Sequence, residues 1–179
     1  MEYIKIVIPL INAWILAYFW YQIWKRQEVL KNQKENWLKF LSLLKRYNLS
    51  IDNLRNWRFQ IYNTEREIYQ ERWNQLLKIW IELQNEHTLT ELLFPNKNEE
   101  ITLTWLAELQ NELKANLDTY IDRKSRNEWR WDRSDVEISK VIFKPDNTSD
   151  EFWEKIKNEI EKISNPIKTQ LTKQFNTTF

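Results

Sequence analysis

From residue 6 to residue 24 the chain carries no charged side chain, and Ile, Val, Leu, Phe and Trp dominate the run. As a helix this run is about 28 Å long at ~1.5 Å per residue, close to the ~30 Å hydrocarbon core of a bilayer. Pro9 falls in its first two turns, where a missing N–H costs least. Tyr18, Trp20, Tyr21 and Trp24 crowd its C-terminal end and Tyr3 marks the other, as an aromatic belt at the headgroups would. A cleaved signal peptide needs a basic leader and small residues at its cleavage site. Here Lys5 is the single early base, and Trp and Tyr stand where small residues belong. A buried, wholly uncharged helix is out of keeping with a chain of mean hydropathy −0.72.

The run is therefore expected to be one transmembrane helix. Residues 1–26 form a membrane anchor, and residues 27–179 a soluble helical domain. Lys25, Arg26, Lys31 and Lys34 flank the C-terminal end of the span. Under the positive-inside rule they place the N-terminus outside and the domain in the cytoplasm. Asn12 lies mid-span, where its amide needs a partner, and so marks a contact with another membrane helix or a second copy.

Two absences narrow the chemistry. Among 179 residues there is no Gly and no Cys. Phosphate loops, dinucleotide fingerprints and nucleophile elbows depend on Gly, and thiolate nucleophiles, disulfides and Cys-ligated zinc on Cys. With a single histidine, His87, the usual nucleophilic sets cannot be assembled. Neither a catalytic set, a cofactor nor a metal is expected. The pairs Glu99-Glu100 and Asp150-Glu151 sit where acids favour helix N-termini. Charge is uneven under a net of +1: residues 1–50 carry 8 bases against 3 acids, residues 51–122 carry 7 against 13, and residues 123–179 carry 12 against 10. A basic neck and an acidic middle do not describe a dedicated nucleic-acid binder.

Helical periodicity dominates the remainder. Val29, Trp37, Phe40, Leu41, Leu44 and Tyr47 share a face, so the first helix is expected to run to Tyr47. Asn48-Leu49-Ser50 then reads as a turn, and Asp52 as the N-cap of a helix over 52–87. Thr88-x-x-Glu91 and Thr148-x-x-Glu151 read as capping boxes. The first opens a short helix that Pro95 stops, and the second a helix that Pro166 ends or kinks. Leu106, Leu109, Leu113, Leu117 and Tyr120 predict a helix over 104–124. Val136, Ile138, Lys140 and Ile142 alternate, as do Ile101, Leu103 and Trp105, which suggests a two-stranded ribbon around 101–105 and 136–143. The fold class is thus mainly α, with an N-terminal transmembrane helix and that small ribbon.

Two further features carry functional expectations. Arg58, Glu65 and Arg72 recur at seven-residue intervals on the face of Leu54, Ile61 and Ile68. They form either a contact surface for another subunit or a snorkelling, half-covered face. Arg123, Lys124, Arg126, Trp129, Arg130, Trp131 and Arg133 form the densest basic and aromatic cluster, interleaved with Glu128 and Asp132. Arg on phosphate and Trp on a ring suit an anionic ligand such as a nucleotide, nucleic acid or lipid headgroup. The structural alternative is inward-packed Trp with locally paired Arg. Without a catalytic set, the leading expectation is a membrane-tethered scaffold or accessory subunit with a protein partner or a homo-oligomeric state. The second is a sensor that binds an anionic ligand through the 123–133 cluster.

Overall fold

The computed structural model describes residues 2–56, 65–93, 102–144 and 149–175, with side chains from Asn12 onward in the first helix and from Arg66 to Thr88 in the second. Among these residues there are five helices: α1 (Glu2–Arg55), α2 (Glu65–Leu93), α3 (Thr104–Ser125), α4 (Arg133–Ile142) and α5 (Glu151–Phe175).

The apolar spacing decides which face of each helix turns inward. In α1 the buried stripe is Trp37, Phe40, Leu44, Tyr47, Ile51 and Leu54, steps of three and four that keep to one side of a 3.6-residue turn. Tyr69, Trp73, Leu76, Trp80 and Leu83 do the same in α2, and Phe152, Ile156, Ile163, Ile167 and Leu171 in α5. Pairings along the helices give their directions. Lys39 meets Glu86, Arg46 meets Glu82 and Arg72 meets Asn53, so α1 and α2 are antiparallel. Trp37 packs edge-on against Phe175 while Arg55 meets Asp150, so α5 is antiparallel to α1 as well. α3 closes the bundle: its Tyr120 packs edge-on against Tyr69 of α2, and its Gln110 Oε1 accepts from the buried Tyr47 hydroxyl at 3.1 Å. Burial pushes the Tyr47 phenol well above its ordinary pKa, so it remains a donor.

The membrane expectation is corrected here. Residues 6–24 belong to α1, but among the described residues no helix is long and apolar enough to cross a membrane. The uncharged run is interrupted by the polar side chains of Asn12 and Gln22. The transmembrane helix, the single-pass topology and the orientation with an outside N-terminus and a cytoplasmic domain fall with it.

The ribbon is also corrected, since there is no strand among the described residues. Leu103 precedes α3, Trp105 lies in it, and residues 136–142 lie in α4. Ile138 and Ile142 satisfy a period of two and a period near four alike. Asp135 adds the preceding step of the buried helical face, while Val136 is turned outward. An N-cap settles the choice: the Asp132 side chain accepts from the Asp135 N–H at 2.9 Å, satisfying a donor that the first turn leaves unpaired.

Several boundaries move for related reasons. α1 runs through Asn48-Leu49-Ser50 because Tyr47, Ile51 and Leu54 carry its stripe across them. Thr88 lies inside α2 and its hydroxyl donates to the Gln84 carbonyl, so it opens no new helix. Pro166 lies within α5 without ending it, as Ile163, Ile167 and Leu171 stay buried on both sides. Pro95, Ile101 and Thr148 lie outside the described residues; the cap of α5 is Asp150, whose Oδ1 accepts from the Trp153 N–H at 2.9 Å.

Candidate functional site

The connection from α3 to α4 carries the basic and aromatic cluster. α3 ends without glycine: Asn127 takes the left-handed conformation at φ 56°, which Asn tolerates better than other side chains do. The Glu128 N–H then reaches the Arg123 carbonyl at 2.8 Å and the Asn127 N–H the Lys124 carbonyl at 3.1 Å. This is the Schellman pattern that satisfies a helix's last carbonyls. Trp129 turns back onto the core and packs edge-on against Tyr120, with 4.7 Å between ring centroids.

A buried carboxylate organises the rest. Asp135 is fully buried in the first turn of α4. One of its oxygens accepts from the Arg123 guanidinium at 2.6 Å and the other from the Arg130 backbone N–H at 2.7 Å. Desolvation pushes its pKa up. The hydrogen bonds from the Arg130 backbone and from Arg123, with the Arg123 charge and the Trp131 backbone adding to them, outweigh that and hold it below the ordinary Asp value. Between these pinned points stands Trp131 at φ 57°. A left-handed backbone costs a residue with a Cβ roughly 1–2 kcal/mol, so the surroundings must over-determine it.

The structure divides the seven cluster residues into two sets. Arg123 is spent on Asp135, and the Lys124 ammonium lies over the Tyr120 ring with Nζ 3.1 Å from its hydroxyl. Arg126 pairs with Asp122 one turn back at 3.0 Å, and Trp129 packs against Tyr120. These four are engaged within the fold. Arg130, Trp131 and Arg133 face solvent, with Trp131 62% exposed.

The other expected positions have different fates. Arg72 donates to the carbonyls of Asn53 and Asn56 at 2.7 and 3.1 Å, capping the end of α1. Glu65 begins α2, with its side chain outside the described residues, as Arg58 is altogether. Asn12 is exposed on α1. His87 is half-buried with its ring 6.0 Å from Phe40. Glu99 and Glu100 lie outside the described residues. Among the described residues no group of three or more His, Asp or Glu could hold a metal ion.

Sequence reasoning missed the buried Arg55. Its Nε donates to the Val141 carbonyl at 2.7 Å, and its terminal nitrogens reach both Asp150 oxygens at 2.8 and 2.9 Å and the carbonyls of Lys140 and Phe143. One guanidinium thus gathers the last carbonyls of α4 and the N-cap carboxylate of α5, over the Phe152 ring. The partners lie 85 to 95 residues away, so no local pattern signals them. A groove of about 670 Å³ between α3 and α5, lined by Trp105, Glu108, Glu112, Lys155, Asn158 and Glu161, is open and strongly charged. No family model, no curated protein and no solved structure matches this chain.

Proposed function

We propose that this protein is a helical scaffold: a bundle that uses the N-terminal part of α1 as an arm through which copies of the chain are gathered. The observation behind this reading is the exposure of the arm. Trp14, Leu16, Tyr18, Phe19, Trp20, Tyr21 and Trp24 are each more than half exposed, and among the described side chains of α1 the first buried one is Gln33. At ~150–250 Å² per aromatic side chain these residues offer roughly 1,000 Å². That exceeds the ~300–600 Å² largest patch of an ordinary monomer and the ~800 Å² that each partner buries in a stable interface.

The distribution of the patch argues for several neighbours. At ~100° per residue these side chains point all round the helix, so a partner covering one face would leave the others wet. A helix apolar on every side is stable only when surrounded. Copies of the same arm supply the neighbours without a second gene product, and the bundles then sit as spokes that can hold other proteins together.

Light scattering coupled to size-exclusion chromatography in detergent-free buffer tests this. The full chain should elute as a defined assembly, and a chain beginning at residue 27 as a monomer with unchanged unfolding of the bundle. A full chain that is monomeric, or that stays dispersed only with detergent or lipid, overturns the reading.

A further inference from the structure

We infer that the α3–α4 loop is a binding site for single-stranded nucleic acid, with Trp131 as the stacking platform and Arg130 and Arg133 as the phosphate contacts. It is carried by what the loop does with its residues. Asp135 fixes the Arg130 backbone, Asp132 caps α4, and the chain between them is held in a strained left-handed turn at Trp131. That strain does not serve to bury the indole. Trp131 makes an edge-on contact with Trp129 at 5.5 Å and leaves most of its surface in water. Backbone strain kept where it contributes no burial is a feature of ligand sites.

The charges beside it are similarly uncommitted. Arg123 and Arg126 are in salt bridges, and Lys124 lies on Tyr120. Neither the Arg130 nor the Arg133 guanidinium has a hydrogen bond or salt bridge among the described residues. Glu137 is held below the usual carboxylate range mainly by Lys140, to which it is paired, and Arg133 contributes less. An exposed indole between two exposed guanidiniums matches a base attached to its phosphates. In a duplex the base faces are stacked inside, so an unpaired strand is the form that can use the ring. A lipid headgroup supplies phosphate but no ring to stack. Because the loop is held from within, little ordering entropy is lost on binding.

The test measures binding of the full chain to a fluorescent oligothymidylate by anisotropy. Two phosphate contacts predict a slope of log K on log salt of about −1.4, at roughly −0.7 per contact for a single strand. Trp131→Ala should weaken binding about tenfold or more, and Trp131→Phe should weaken it less, because a ring remains. Changing Arg130 and Arg133 together to Gln should flatten the salt slope towards zero. Trp131→Asn separates function from structure: it should raise the thermal midpoint, since Asn tolerates the left-handed turn, while removing the stacking platform. The inference is overturned by absence of binding at low salt, by equal affinity for duplex DNA, or by a Trp131→Ala variant that binds as well as the parent. Equal, Trp131-dependent binding of free thymidine monophosphate would make the ligand a nucleotide instead. Trp131-dependent uptake by phosphatidylserine vesicles without oligonucleotide binding would make it a headgroup. Either result overturns the assignment to a strand.

Discussion

Trp14 and Trp37 stand in one unbroken helix, the first 78% exposed and the second 1%. Both halves of α1 are rich in aromatic and aliphatic residues, so hydrophobicity does not separate them. What separates them is where the polar residues fall. Between Trp37 and Leu54 the charged and amide side chains of Lys39, Lys45, Arg46, Asn48, Asp52 and Asn53 occupy the positions between the buried ones. They leave one apolar stripe that a second helix can cover. From Ala13 to Tyr21 nothing polar interrupts the run, so no face is singled out, and among the described residues these side chains stay exposed. A stripe specifies a partner helix, whereas an all-round apolar surface specifies only that it must be surrounded.

The sharpest way to break this comparison is to truncate the buried member. Trp37→Ala should cost ~3–5 kcal/mol, the range for deleting a large aromatic from a packed core. The check is a urea unfolding curve with an unchanged slope and a lowered midpoint. A loss below 1 kcal/mol would mean that the lower half of α1 is no more committed than the arm.

The next effect lies at the end of the same stripe, where a charge is buried. Arg55→Met removes the guanidinium, taking its donor from three carbonyls and leaving the Asp150 carboxylate with only the Trp153 N–H among its described partners. Breaking one side of a buried pair costs ~3–5 kcal/mol, lowered somewhat here because Asp150 keeps partial access to water. Asp150→Asn should cost less, since Asn still caps a helix. In an Arg55→Met background it should restore part of the loss by removing the stranded charge. Additive losses in that double variant would show that the two residues act separately.

The five-helix outline is only partly legible in the sequence, and the reasons differ by element. α3 is readable because Leu106, Leu113, Leu117 and Tyr120 repeat without competition and all are buried. Asn48-Leu49-Ser50 reads as a turn because local propensity favours one, yet packing of Tyr47 and Ile51 carries the helix through. α4 reads as a strand because a ten-residue helix contributes two buried aliphatics, and its third inward position is an aspartate. That aspartate and Arg55 are invisible beforehand for one reason: a buried charge is intelligible only through its partners, which here are distant carbonyls, a loop N–H and a carboxylate. The same applies to the 123–133 cluster. Its composition announces a basic aromatic patch, but only the geometry separates Arg123 and Trp129, which hold the fold, from Trp131, which is displayed. The uncharged run that leads the sequence reading names a length and a composition. In the structure its described side chains, from Asn12 onward, stand exposed on α1, and among the described residues no helix is long and apolar enough to span a membrane.

Acid titration gives a smaller effect, confined to the bundle. Because the folded pKa of Asp135 lies below its ordinary value, the folded state binds its proton less readily than the unfolded chain does. Its contribution to stability is therefore complete above the unfolded value, near ~3.9 for Asp. It is lost as pH falls through that value towards the depressed one. Asp135→Asn should be less stable than the parent at neutral pH, and the gap should close as the solution is acidified. A gap that is constant from neutral to acid pH would mean that the carboxylate's charge does not hold the loop.

The smallest effect on folding should come from the exposed member of the opening pair. Trp14→Ala removes a side chain that is already mostly in water, so no cavity opens and little apolar surface changes its environment. Surface substitutions of that kind usually stay within ~0.5 kcal/mol. The thermal midpoint of a dilute sample should stay close to that of the parent chain. The same substitution should nevertheless act on association, because each aromatic side chain covered in an assembly contributes through ~150–250 Å² of buried surface. The dissociation midpoint measured by dilution should move to higher protein concentration for Trp14→Ala, and further for Trp14→Ala with Trp20→Ala. Trp37→Ala should give the opposite pattern, lowering the unfolding midpoint with little change in association at temperatures where the bundle remains folded. If Trp14→Ala destabilised the dilute monomer as much as Trp37→Ala, the arm would have to be packed against its own bundle. The contrast between the two halves of α1 would then fail.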